Sequence, residues 1–153
     1  MKIPESKFLR IKDNIKNKCK ICDSTGCDTC AKKMARITMY AQANIPMEYW
    51  DKSFKNFEGD RRFKAAMHSY VDNIDGLYDE GISLGFSGSL GTGKTYMAAC
   101  FLKIALTKGY SASYYNMSDM IQESMDNRGF FSEIIEKDFI VIDEYDLRWV
   151  YPT

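Results

Sequence analysis

Residues 82–95 read ISLGFSGSLGTGKT, a short apolar run that turns at once into a glycine-rich loop. The last eight, Gly88, Ser89, Leu90, Gly91, Thr92, Gly93, Lys94 and Thr95, match G-x-x-x-x-G-K-[ST]. Gly88, Gly91 and Gly93 let the backbone curl until successive N–H groups point inward at phosphate oxygens. The helix predicted over 94–108 adds the positive end of its dipole. Lys94 would then reach the β- and γ-phosphates of ATP, and the Thr95 hydroxyl would hold Mg²⁺. A glycine-rich turn can match this pattern by chance. The strand expected over 82–86 and the helix that follows supply the context the motif requires.

Downstream, Gly109 stops the helix, 110–116 reads as a strand, and Ser118 is positioned to cap a helix over 119–126. Residues 139–142, FIVI, form an apolar strand that ends in Asp143 and Glu144. Asp143 suits Mg²⁺ binding through Thr95 and water. Glu144 suits a general base that orients the attacking water, so Lys94 and Glu144 are the candidate catalytic pair. Without the loop, the same two carboxylates would read as an ordinary acidic strand end. Strands alternating with helices predict an α/β domain with a parallel sheet, whose ligands lie beyond the carboxyl ends of its strands.

Upstream, Phe63, Ala66, Met67, Tyr70, Val71, Ile74, Leu77 and Tyr78 lie on one helical stripe that Gly81 ends. Residues 45–59 are aromatic-rich without a clean period and read as a connector packed on the body. Cys19, Cys22, Cys27 and Cys30 form C-x2-C-x4-C-x2-C, between a short helix carrying Phe8, Ile11 and Ile15 and a second helix ending before Pro46. Two such pairs complete a closed tetrahedral Zn²⁺ site, structural rather than catalytic. Two disulfides or four idle thiols are the alternatives. Cys100, inside the apolar 94–108 helix, reads as packing.

The 153 residues are 45% hydrophobic and 27% charged, the balance of a globular chain. No apolar run reaches the roughly 18 residues of a membrane span, and the N-terminus has no apolar signal region. A cytoplasmic chain without a membrane role is expected. His68 is the single histidine, which sets aside His-based metal sites and His-centred triads. The zero net charge hides a split, with 10 Lys/Arg against 4 Asp/Glu in residues 1–40 and 11 against 17 thereafter. The basic arm suits nucleic acid or an acidic protein face, or is simply a solvated surface.

Together, the knuckle with Asp23-Ser24-Thr25-Gly26 inside it, the string Asn44-Ile45-Pro46…Tyr49…Ser53-Phe54…Phe57, and the two acidic and phosphate-loop elements resemble the DnaC/DnaI-type AAA+ helicase loaders. The related IstB-type transposition helpers share the body but not the knuckle. The resemblance implies a P-loop NTPase (AAA+ type) fold with a three-layer parallel sheet and a small N-terminal zinc-binding module. It divides the chain into a helicase-interaction module over 1–44 and an ATPase core over 45–153. It also implies ATP-dependent assembly, as a homo-oligomer, on single-stranded DNA with a replicative DnaB-type helicase. Tyr49, Phe54 and Phe57 would wall the adenine unless they are core packing.

One departure stands out. Nine residues follow Glu144, fewer than a parallel crossover needs, so the family's sensor strand, arginine finger and lid are not expected here. The sensor strand of such sheets lies between the two strands that carry the phosphate loop and the acidic pair. A C-terminally incomplete fragment with weak hydrolysis is therefore the expectation, and a non-hydrolysing zinc adaptor is the alternative from another class.

Overall fold

The structure, a computed structural model, describes residues 5–22 and 25–145. Asp23 and Ser24 of the knuckle lie outside them. Helices α1 (Glu5–Asn17) and α2 (Asp28–Gln42) pack as a hairpin across the cysteine segment. Ile15 is buried, and Phe8 and Ile11 are half-buried, as their shared face predicts. Asn44, at φ +55°, turns the chain after α2. Two single 3-10 turns, Met47–Tyr49 and Phe54–Asn56, shape the connector.

The long helix expected before Gly81 is two helices, α3 (Arg61–Asp72) and α4 (Ile74–Asp79). Asp60 caps α3 by accepting from the N–H groups of Arg62 and Phe63 at 2.7 and 3.1 Å. Asn73, at φ −111° and ψ 24°, interrupts the pattern without breaking the apolar stripe, since Met67 and Ile74 are both fully buried. Helix α5 (Lys94–Lys108) is the centre of the molecule. It is apolar almost all round because α3, the connector and both strands cover it. Full burial of side chains such as Met97 and Leu102 contributes roughly 1.5–3 kcal/mol each.

Strand β1 (Ala112–Asn116) is followed by α6 (Met117–Asp126), α7 (Phe130–Ile135) and β2 (Phe139–Asp143). The cap of α6 is Asn116 rather than Ser118, which lies inside the helix. The two strands pair in parallel, from Ala112 opposite Phe139 to Asn116 opposite Asp143. On its other edge, β1 is tied to the end of α2, where the Tyr114 N–H donates to the Ala43 carbonyl at 2.8 Å.

This architecture overturns the expected three-layer parallel sheet of a P-loop NTPase. Among the described residues the chain is mostly helical, and its sheet has two strands. Residues 82–86, expected as a strand, join no ladder. Ile82 bonds locally instead, its N–H to the Leu77 carbonyl and its carbonyl from the Tyr70 hydroxyl, both at 2.9 Å. A strand needs a neighbour to satisfy its backbone groups, and no described segment lies paired along this one. Ile82 and Leu84 are consequently 45% and 46% exposed, and Gly81 and Gly85 weaken any strand tendency further. No described helix is long and apolar enough to cross a membrane.

Candidate functional site

The four cysteines converge. The Sγ atoms of Cys19, Cys22, Cys27 and Cys30 all lie within 4.8 Å of one another, with Cys19–Cys27 at 3.9 Å and Cys22–Cys30 at 3.7 Å. Local sequence explains how. Thr25 closes a turn on the Cys22 carbonyl through its N–H at 2.8 Å and its hydroxyl at 2.6 Å. Gly26 then takes φ +98°, a conformation open to glycine, and delivers Cys27 to the start of α2. Cys30 follows one turn later, buried against the Ile15 carbonyl.

These separations set the disulfide alternative aside. Disulfide sulfurs sit about 2.05 Å apart, and all four thiols are free. A tetrahedral ion with sulfurs about 2.3 Å away sets neighbouring sulfurs about 3.8 Å apart. The cluster is therefore close enough to hold a metal ion such as zinc. Backbone N–H donation near Ile21, aided by the Cys30 and Cys22 thiols, brings the Cys19 thiol down to about 6. Its hydrogen bond to Cys19, then burial and the Cys22 and Cys27 thiols, push Cys30 up to about 12. Four converging sulfurs are a donor set that accepts a soft cation.

The glycine-rich loop adopts the conformations its spelling predicts. Gly88, Gly91 and Gly93 have φ of +146°, +77° and +87°. Helix α5 begins at Lys94, so its unpaired first-turn N–H groups face the loop. The Lys94 ammonium donates to the carbonyls of Gly88 at 2.9 Å and Ser89 at 2.8 Å, and the Thr92 hydroxyl to Ser89 at 3.0 Å. Leu90 projects into solvent at the tip. Thr95 is half-buried on the first turn.

Beneath the loop sits Phe57. A Cβ built on Gly93 would lie 2.4 Å from its ring, and one on Gly59 would lie 2.3 Å away. The ring also packs edge-on against Phe63 and tilted against Tyr96. Phe54 and Phe57 are buried in the core cluster, and Tyr49 packs on that cluster. Their surroundings are those of core packing, the alternative to an adenine wall.

Asp143 and Glu144 stand at the end of β2, each held by the neighbouring strand. The Tyr114 hydroxyl donates to Asp143 at 2.5 Å, and the Asn116 amide donates to Glu144. Burial first, and then Asp143, hold the Tyr114 phenol far above its ordinary value, so it stays a donor. Asn116 serves twice, since its carbonyl oxygen also caps α6 through the Ser118 N–H at 3.0 Å. Glu144 sits at φ +54°, an uncommon backbone state for a residue with a side chain. Helix α5 packs on both strands and carries the loop at its start. No hydrogen bond or ion pair joins the loop to Asp143 or Glu144 among the described residues.

Sequence reasoning passed over Tyr114, Asn116 and Lys103. Lys103 is buried in α5, with its ammonium donating to the Tyr49 carbonyl at 2.5 Å and to the Lys52 carbonyl. A lone lysine inside an otherwise apolar helix was the available signal. A cleft of about 460 Å³ between the end of α2, β1 and α7 contains none of the predicted site residues. Comparison with protein-family models, with curated proteins and with solved structures found no match.

Proposed function

We propose that this chain binds ATP through Gly88–Thr95 and serves in an ATP-dependent loader of a replicative DnaB-type helicase onto single-stranded DNA. The observation that carries the reading is the loop itself. Three glycines at positive φ lead into the N-terminus of a 15-residue helix whose first residue, Lys94, folds its ammonium back over the loop. Such a terminus offers N–H donors and a positive dipole to phosphate oxygens. In this reading Lys94 exchanges its carbonyl partners for the β- and γ-phosphates, and Thr95 and Asp143 hold Mg²⁺. Bound Mg²⁺ neutralises developing phosphate charge. Glu144, steadied by Asn116, orients the attacking water, and Tyr114 keeps Asp143 in place. The cysteine cluster, with zinc, stabilises the α1–α2 hairpin as the helicase-facing module.

The test is titration of a fluorescent ATP analogue into wild type and Lys94→Ala. The expected result is at least a tenfold loss of affinity in the variant, with its thermal transition unchanged. Equal binding by both proteins refutes the assignment. Pull-down of a hexameric helicase with residues 1–153 tests the partner, and a transposase recovered in its place favours the IstB-like alternative.

A further inference from the structure

The cysteine cluster does more than fold the N-terminal hairpin. It gathers cations. Lys18 and Lys20 flank Cys19, and Lys32 and Lys33 follow Cys30 within one helical turn. Because the four Sγ atoms lie within 4.8 Å of one another, the end of α1 and the start of α2 are drawn together, and these lysines with them. All four are exposed. Along α2 the solvent face runs Thr29, Lys32, Lys33 and Arg36, at the i, i+3, i+4, i+7 spacing of one stripe. None of these five cations takes part in an ion pair among the described residues.

We propose that this surface, Lys32, Lys33 and Arg36 of α2 with Lys18 and Lys20 beside the cluster, binds the phosphodiester backbone of nucleic acid. Two features favour that occupant over an acidic protein. Protein interfaces are anchored by large apolar or aromatic side chains at a desolvated centre. The solvent face of α2 has none, with alanine and threonine between its cations, although Ile21 is exposed beside Lys20 at the cluster. Phosphate contacts need no such anchor, since each cation gains by releasing a counterion condensed on the polymer. The charge division of the chain points the same way, because the body carries a net negative charge while the arm carries a net positive one. The inference deepens the loader reading, on which it rests for the identity of the polymer, by naming the surface that touches it.

The experiment is fluorescence anisotropy of a labelled oligothymidylate of roughly 20 nucleotides, titrated with the zinc-loaded chain in the absence of ATP. A duplex of the same length and poly-glutamate run beside it. Binding should weaken steeply with salt. Replacing Lys32, Lys33 and Arg36 by alanine should cost at least tenfold in affinity near 0.1 M salt and reduce the log–log salt slope by about 2. Lys18→Ala with Lys20→Ala should reduce it by about 1.4. Alanine favours helix, and retained zinc and circular dichroism verify that the variants fold. Loss of binding to either strand form supports the surface, and the two probes distinguish single strand from duplex. Unchanged affinity and slope in the triple variant overturn it, as does binding of poly-glutamate but no oligonucleotide. ATP-analogue binding by the same variants should be unchanged, so a failure of the loop assignment shows separately, in Lys94→Ala.

Discussion

Alanine at position 93 meets two separate obstacles, and the structure allows them to be measured apart. Gly93 sits at φ +87°, where a Cβ crowds the backbone at a cost of roughly 1–2 kcal/mol. The added Cβ would also lie 2.4 Å from Cε2 and 3.0 Å from Cζ of Phe57. Forcing that ring aside in a packed core costs about 1–3 kcal/mol more. Gly93→Ala is therefore expected to lose about 2–5 kcal/mol. Leucine at position 57 lacks the Cε and Cζ atoms, so Phe57→Leu should remove the second term and leave the first. Gly59 provides the control. Its Cβ would meet the same ring at 2.3 Å, but its backbone has no positive φ. Gly59→Ala should show only the ring term and be almost fully relieved by Phe57→Leu. Urea unfolding of the singles and doubles gives the coupling directly. If Phe57→Leu leaves the cost of Gly93→Ala unchanged within about 0.5 kcal/mol, the ring does not support the loop and the reasoning fails.

Two further outcomes follow from the same geometry. The cysteine cluster should bind one equivalent of Co²⁺ with thiolate charge-transfer and tetrahedral ligand-field bands. Binding should weaken as pH falls, because the thiols must shed their protons to bind the metal, and Cys27→Ser should abolish the tetrahedral spectrum. Asp138 accepts from the Tyr78 hydroxyl, the Ser111 N–H and the Ser111 hydroxyl, which hold its carboxyl below the ordinary carboxylate value. A depressed folded-state value means that its contribution is complete above about pH 4 and is lost as pH falls further. Asp138→Asn should flatten that acid limb, and an unaltered limb in urea melts across that pH range would contradict it.

The parts of the molecule legible in the sequence are those whose chemistry is local. Gly88, Gly91 and Gly93 spell a loop because only glycine takes those φ values freely, and the cysteine spacing fixes a turn that joins sulfurs eight residues apart rather than reaching a distant partner. The strand reading of 82–86 failed for the opposite reason. Its composition expresses a tendency to extend, but a ladder is a property of two segments, and Ile82 and Leu84 have no second one beside them among the described residues. Helix α7 was missed because its six residues are too few to show a helical period. Phe130 and Ile134, one turn apart and both buried, are enough to seat it. Tyr114 and Asn116 became visible only with the register, which sets Asn116 opposite Asp143.

A two-stranded sheet gives little rigidity of its own, so the ends of β1 and β2 must be fixed by other contacts. Tyr114 supplies two of them. Its N–H binds Ala43 at the end of α2, and its hydroxyl binds Asp143. The helix that leaves the cysteine cluster is thus joined to the acidic strand end through one residue. Lys103 performs the corresponding task on the other side, pinning the connector by the carbonyls of Tyr49 and Lys52. That connector carries Phe57, which supports Gly93. Each candidate site element therefore owes its position to side-chain ties made across the chain: the loop depends on the connector, and the carboxylates depend on β1. Among the described residues no wider sheet holds them. Their geometry should accordingly respond to substitutions at Phe57, Tyr114 and Asn116 more than to changes along the exposed 82–86 segment.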